Sequence, residues 1–294
     1  MQDFLDVAKQ AALRAGTILS ENMNGTREVS YKGEINLVTE MDRFSEKIIV
    51  DTILGAFPHH GILAEEGGGN GQGSEFLWII DPLDGTTNYA HGYPNFSVSI
   101  GLEREGEIIL GIVYDPLRQE LFSAVKGSGA FLNEKPIRVS SSDALIRSLL
   151  ATGFPYDRAV SKVNNLNFFS ALIMAAQEIR RSGSASLDLC SLAAGRLDGY
   201  WELKLQPWDV AAGSLIVHEA GGRVTDFSGT RFSIHDKEIA ATNGRIHEQM
   251  LEILNRAGRE PLPEENADRE EEPYGNDTAD PRTSRRVDRQ MPGL

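Results

Sequence analysis

Acidic residues stand at a few positions where the chain is about to turn: Asp42, Glu65 beside Glu66, Asp81 and Asp84 within Asp81-Pro82-Leu83-Asp84-Gly85, and Asp209 in Pro207-Trp208-Asp209. An acidic residue at a helix start is ordinarily a cap, and Asp42 and Asp209 taken singly read that way. Asp81 reads differently. It follows Glu75-Phe76-Leu77-Trp78-Ile79-Ile80, whose aromatic and β-branched residues predict a buried strand ending at this carboxylate. A carboxylate among apolar neighbours must be protonated, paired or metal-bound. Hard oxygen ligands with no His or Cys beside them favour magnesium or manganese over zinc.

The elements that must position these residues follow from periodicity. Residues 3–22 place Phe4, Ala8, Ala11, Ala12, Ala15, Ile18 and Leu19 near one face of an amphipathic helix. A short strand is expected at 27–32. Thr39 followed by Asp42 resembles a capping box, opening a helix whose stripe is Met41, Phe44, Ile48, Ile49 and Ile53. "GILAEE" and "EFLWIID" read as strands around a mobile glycine-rich loop at 67–74. Pro82 and Asp84-Gly85 then force a tight turn, with Thr86 and Thr87 available to cap whatever begins next.

Segments between Phe96 and Asn133, separated by turn formers, predict an antiparallel meander and make the first half an α+β unit. The second half alternates strand and helix, with helices near 161–176, 184–195, 209–221 and 245–257, which calls for layers. Trp78, Trp201 and Trp208 read as core or pocket-wall aromatics, and His59-His60 after Pro58 as a solvent-facing turn. Arg180-Arg181 could attract phosphate or pair with acidic groups at a subunit interface.

The chain has 294 residues, 40% of them apolar, enough for a substantial core. A net charge of −14 argues against nonspecific binding to nucleic acid or anionic membranes. The single Cys190 cannot form an intramolecular disulfide, and its apolar setting predicts a buried thiol in a reducing, cytoplasmic protein. Charges interrupt every apolar run near the amino terminus, so neither a signal peptide nor a membrane span is expected. Residues 261–294 are dominated by charge, proline and polar residues and are expected to be a disordered tail. Domain organisation is therefore one large unit at 1–260, divided near 140 into an α+β half and an αβ half, followed by that tail.

In "NLVTEMD" (36–42), "AEE" (64–66), "WIIDPLDGTTNYAHGYPNFSVSIG" (78–101) and "PWDVAAGSLIVHEAGG" (207–222), the chain resembles the inositol monophosphatase family. The resemblance covers about residues 1–258. Asp-Pro-x-Asp-Gly-Thr after an apolar strand, together with Trp-Asp-x-Ala-Ala-Gly, is highly specific. It implies the α+β, layered αβαβα sandwich of the inositol monophosphatase and fructose-1,6-bisphosphatase type. It also implies a lithium-sensitive, magnesium-dependent phosphomonoesterase, a homodimer, and myo-inositol 1-phosphate as substrate. A dual fructose-1,6-bisphosphatase, a histidinol phosphatase, a nucleotide 3′-phosphatase and a catalytically silent scaffold are the alternatives.

Carried over by position, Glu65, Asp81 and the Leu83 carbonyl are implied ligands of one magnesium, and Asp81, Asp84 and Asp209 of a second. Asn36 stands where some members carry aspartate, so two or three ions are implied, with manganese a substitute. Thr86 paired with Asp42 is implied to hold a water on the metal of Glu65. The amides of Gly85 and Thr86 are implied to hold phosphate. Asp84, Gly183, Ser184, Ala185, Glu202 and Asp209 are implied to face the inositol hydroxyls, and Glu66 to support the site.

Overall fold

The alanine-rich stripe at the amino terminus folds as α1 (Gln2–Asn22), which buries Ala8, Ala11, Ala12, Ala15 and Leu19. In this computed structural model residues 1–23, 29–31, 37–67 and 73–259 are described. The expectations for Asn36, for the middle of the glycine-rich loop and for the tail lie outside them. After a short antiparallel hairpin, β1 (Val29–Tyr31) and β2 (Leu37–Thr39), helix α2 (Glu40–Ala56) buries Ile49 and Ile53 on one side and Asp42, Ser45 and Glu46 toward the site.

A seven-stranded sheet follows, its neighbours in chain order: β3 (Gly61–Ala64), β4 (Phe76–Asp84), β5 (Ser97–Arg104), β6 (Glu107–Asp115), β7 (Glu120–Val125), β8 (Ala130–Leu132) and β9 (Lys135–Pro136). Only β3 and β4 pair in parallel, and from β4 onward the sheet is the antiparallel meander that the turn formers predict. One short helix, α3 (Thr86–His91), interrupts the run between β4 and β5.

The second sheet holds β10 (Leu149–Thr152), β11 (Glu178–Arg180), β12 (Gly199–Leu203), β13 (Arg223–Thr225) and β14 (Glu238–Thr242), in the order β11-β10-β12-β14-β13. Helices α4 (Leu166–Ile173) and α7 (His247–Arg259) cover its outer face, and α5 (Ala185–Ala193) and α6 (Pro207–Glu219) fill the space between the sheets. With α1 and α2 on the far side of the first sheet, the layers run αβαβα.

Each interface has its own apolar cluster. Trp78, Ile80 and Ile100 meet the alanines of α1, while Trp201, Leu203 and Ala240 meet Phe168 and Leu254. Between the sheets, Ile79 and Val113 pack against Leu189, Ala212 and Ile216. Helix α6 buries Val210 through Gly213 and Leu215 through Val217, because a helix with a sheet on each side must be apolar nearly all round. It lies so close to β6 that a Cβ at Gly111 would stand 2.7 Å from the Ala212 carbonyl oxygen. That contact explains a glycine in a strand interior.

Several expectations change. The helix anticipated over 161–176 is the shorter α4, and β2, β9 and β11 have three residues or fewer, too short to register an alternating pattern. His60 is not solvent-facing: it accepts from Trp78 Nε1 at 3.0 Å and stacks on Phe57 and Phe76. The buried indole needs an acceptor, and the imidazole supplies it. Trp78 and Trp201 are fully buried and Cys190 is a buried free thiol. Among the described residues no helix is long and apolar enough to cross a membrane.

Candidate active site

Strand β4 does not stop at Asp81. Asp81 is paired with Ser99 and Asp84 with Ser97, three steps on one strand against two on the other. The extra residue makes a bulge, and Pro82, which has no amide proton for the ladder, is admissible there. The Leu83 amide donates to Asp81 Oδ1 at 3.0 Å, and Ser45 Oγ of α2 donates to the Pro82 carbonyl at 2.7 Å. Both carboxylates are thus delivered by a kinked strand rather than by the expected turn.

Gly85 follows at φ +96 and is itself the residue preceding α3. Neither Thr86 nor Thr87 caps that helix; Thr86 Oγ1 instead lies 2.9 Å from Asp42 Oδ1 and 3.0 Å from the Leu83 carbonyl oxygen. The Glu65 amide donates to the Ile80 carbonyl at 3.2 Å, setting that residue beside the end of β4. The Glu66 amide donates to Glu46 Oε2 at 2.8 Å, so Glu66 ties β3 to α2.

The other half of the site comes from the layer between the sheets. Asp84 Oδ2 accepts from Ser184 Oγ at 2.6 Å and from the Ser186 amide and hydroxyl at 2.8 and 2.5 Å. Ser184 precedes α5 as its capping residue, and Gly183 before it has φ +88. Asn88 of α3 donates to the carbonyls of Asn95 and Ser182, and Asp188 accepts from Ser182 Oγ at 2.6 Å. Asp209 is a cap after all: its Oδ2 accepts from the Gln206 amide at 2.7 Å at the start of α6. Glu202, on β12, accepts from Tyr200 Oη at 2.5 Å.

Every residue expected to bind metal or substrate lines a single cavity of ≈ 990 Å³; Asp42, buried, and Glu66 do not line it. Burial pushes Asp81 well above the usual carboxylate range, and the charges of Glu65, Asp84 and Asp209 push it further. Asp209 is raised by desolvation and then by Asp84 and Glu65, against the pull of the Gln206 amide. Asp84 is raised by burial in spite of its serine donors. Glu202 is pushed up to about 7, again chiefly by burial.

Among the described residues no Lys or Arg forms an ion pair with Asp81, Asp84 or Asp209. An all-oxygen donor set of mutually repelling carboxylates suits a hard divalent cation. Among those same residues no three His, Cys, Asp or Glu side chains stand already converged to hold an ion. Asp84 and Asp209 are turned onto the serines and onto Gln206 instead. The chemistry of the donor set fits the ion, and those side chains would have to turn to complete it.

Sequence reasoning missed several residues here. Ser186 carries no local signal, since its bond to Asp84 spans 102 residues. Asp188 could have been noticed as a charge within the apolar run "SLDLCSLAAG". Tyr156 and Lys204 also line the cavity, from a loop with no periodicity and from the corner after β12. Arg181 lines it too, whereas Arg180 lies beside Glu178.

Comparison with known proteins follows the same geometry. Residues 1–259 match the sequence model of the inositol monophosphatase family. An inositol-1-monophosphatase of Synechocystis is 47% identical over 256 residues, covering 86% of this chain and 89% of that protein. The Nus factor SuhB of Pseudomonas aeruginosa is 44% identical over 261 residues, covering 86% and 96%. The solved inositol monophosphatase from Anabaena (Nostoc) superposes with a TM-score of 0.81 at 46% identity, covering 89% of this chain and 98% of that one.

Proposed function

The chain belongs to the inositol monophosphatase family, and on that premise we propose that it hydrolyses myo-inositol 1-phosphate to myo-inositol and phosphate with magnesium. The observation that carries the reading is the set of carboxylates lining one cavity, with buried Asp81 repelled by Glu65, Asp84 and Asp209 at once. Glu65, Asp81 and the Leu83 carbonyl would hold one magnesium, and Asp81, Asp84 and Asp209 the other. Bound there, the two ions would supply a water acidic enough to attack phosphorus and charge to stabilise the leaving oxygen.

The protein's own groups do the positioning. Thr86, passing its proton toward Asp42, keeps oxygen lone pairs to accept from a water and orient it. The Gly85 and Thr86 amides sit where the strand has already turned, and would hold phosphoryl oxygens. Asp84 and Asp209, with Glu202 and the small residues Gly183, Ser184 and Ala185, offer acceptors and close approach to a ring bearing several hydroxyls. The same reading carries lithium inhibition, manganese as a substitute, a homodimer and a cytoplasmic setting.

A second reading rests on relatives named Nus factor SuhB, which are 42–44% identical, against 42–47% for those named inositol monophosphatases. The carboxylates favour the enzyme, because a chain that only bound a partner would have no use for several mutually repelling acids in one cavity. Phosphate release from inositol 1-phosphate, fructose 1,6-bisphosphate, histidinol phosphate and 3′-phosphoadenosine 5′-phosphate, with magnesium and with EDTA, tests it. The highest kcat/KM is expected on inositol 1-phosphate. Release from none of them would overturn the hydrolase reading, and a preference for another ester would overturn the substrate.

A further inference from the structure

The segment from Phe154 to Arg158 forms one wall of the cavity, and it belongs to neither sheet nor helix. It is fastened from the opposite lip. Lys204 Nζ donates to Asp157 Oδ2 at 2.7 Å and to Ser161 Oγ at 2.8 Å. Lys204 also holds φ +60, a left-handed conformation that residues with a β-carbon rarely adopt. Such backbone strain persists only where the surroundings hold it, and it gathers at functional sites.

Tyr156 is what this anchorage presents to the cavity. It lines the same cavity as Thr86, Thr87, Glu65, Asp84 and Asp209. Yet Tyr156 is 52% exposed, so it is not a core residue whose burial explains its place. We propose that Tyr156 contacts the substrate's phosphate, its hydroxyl donating to a phosphoryl oxygen beside Thr86 and Thr87, and that Lys204 is the positioning residue that holds it there. The inference rests on the hydrolase reading only for the identity of the ester.

The chemistry of the wall favours a phenol. A phosphate brought against the carboxylates needs donors, and Lys204 of the same lining is already committed to Asp157 and Ser161. A tyrosine hydroxyl, an ordinary phenol, donates while remaining neutral at neutral pH.

The test is calorimetric titration of inorganic phosphate, and separately of myo-inositol, into the full-length protein with magnesium. The wild type is compared with Tyr156→Phe, Lys204→Gly and the double variant, and melting temperatures are recorded alongside. Tyr156→Phe is expected to weaken phosphate binding about tenfold, the scale of one hydrogen bond to a charged acceptor, with myo-inositol affinity and melting temperature unchanged. Lys204→Gly relieves the left-handed strain and is expected to melt no lower than wild type. It should still weaken phosphate several-fold, with little further loss in the double variant because both changes act on one contact.

Wild-type phosphate affinity in Tyr156→Phe would overturn the proposal, as would a loss confined to myo-inositol or strict additivity of the two changes. A wild type that binds phosphate through Tyr156 but releases none from any ester would overturn the hydrolase reading and leave this one standing.

Discussion

Thr86 Oγ1 lies 2.9 Å from Asp42 Oδ1, joining the first residue of α3 to the first turn of α2 across 44 residues of sequence. The same oxygen is 3.0 Å from the Leu83 carbonyl, and a hydroxyl has one proton to give. Whichever acceptor takes it, the threonine oxygen presents lone pairs, and so it can accept from a water. Thr86→Ala and Asp42→Asn are therefore expected to lower kcat on inositol 1-phosphate by about a hundredfold or more, with KM within a few-fold of wild type. Steady-state kinetics checks this, and a rise in KM at unchanged kcat would exclude the role.

Asp81→Asn keeps an oxygen to accept from the Leu83 amide but removes the charge that Glu65, Asp84 and Asp209 repel. A carboxyl raised in the folded state binds more protons there than in the unfolded chain. The metal-free wild type should therefore lose stability as pH rises from about 4 through the elevated folded value. In EDTA at neutral pH, Asp81→Asn should melt at or above the wild type and depend less on pH. On adding magnesium the wild type should gain about 2.7 kcal/mol at a hundredfold excess over Kd, the variant much less, and the variant should not turn over. Scanning calorimetry at several pH values decides it. A variant much less stable in EDTA that gains as much from magnesium would make Asp81 a structural residue.

His247 is fully buried between Thr242 Oγ1 at 2.9 Å and Thr225 Oγ1 at 3.0 Å, and burial, aided by the charge of Arg223, lowers it to about 4. The unfolded chain takes up this proton near pH 6.5 and the folded protein only near 4. The stabilisation is thus complete above about 6.5 and is lost as pH falls from there, by on the order of 3 kcal/mol at most. His247→Gln, which keeps a donor and an acceptor for the threonines, should flatten that part of the acid limb in urea melts between pH 4 and 7. An unchanged slope would mean that the histidine charges without cost.

Gly111→Ala would put its β-carbon 2.7 Å from the Ala212 carbonyl oxygen and 3.0 Å from the Ala212 Cα, both backbone atoms of α6. Overpacking of this kind costs about 1–3 kcal/mol. Since α6 carries Asp209 in its first turn, kcat should fall together with the melting temperature. Wild-type stability and turnover would show that the layers can part at no cost.

Two carboxylates beside a proline and a glycine at the end of an apolar run were enough to point to a hard cation. Runs long enough to show a period, such as α1, β4 and β6, were legible because burial on one face imposes that period on the sequence. Strands of two or three residues were not, and neither was the setting of His60, whose role depends on an indole 18 residues away. The bulge at Pro82 escaped because a proline after a strand reads equally as a stop, and only the partner strand reveals that pairing resumes at Asp84.

What the sequence by itself determined is which groups are present at the site and which local elements carry them: Asp81 and Asp84 at the end of a strand, Asp209 at a helix start, Thr86 after a glycine. These are set by interactions among near neighbours in the chain, and their signals are local. What only the tertiary structure decided is which distant groups complete the site. Ser184 and Ser186 reach Asp84 across about 100 residues, Asp42 reaches Thr86 from another layer, and Lys204 reaches Asp157 beside the cavity. Those contacts are selected by how two sheets close on the helices between them, and no local pattern records them because each partner satisfies its own segment equally well without the other.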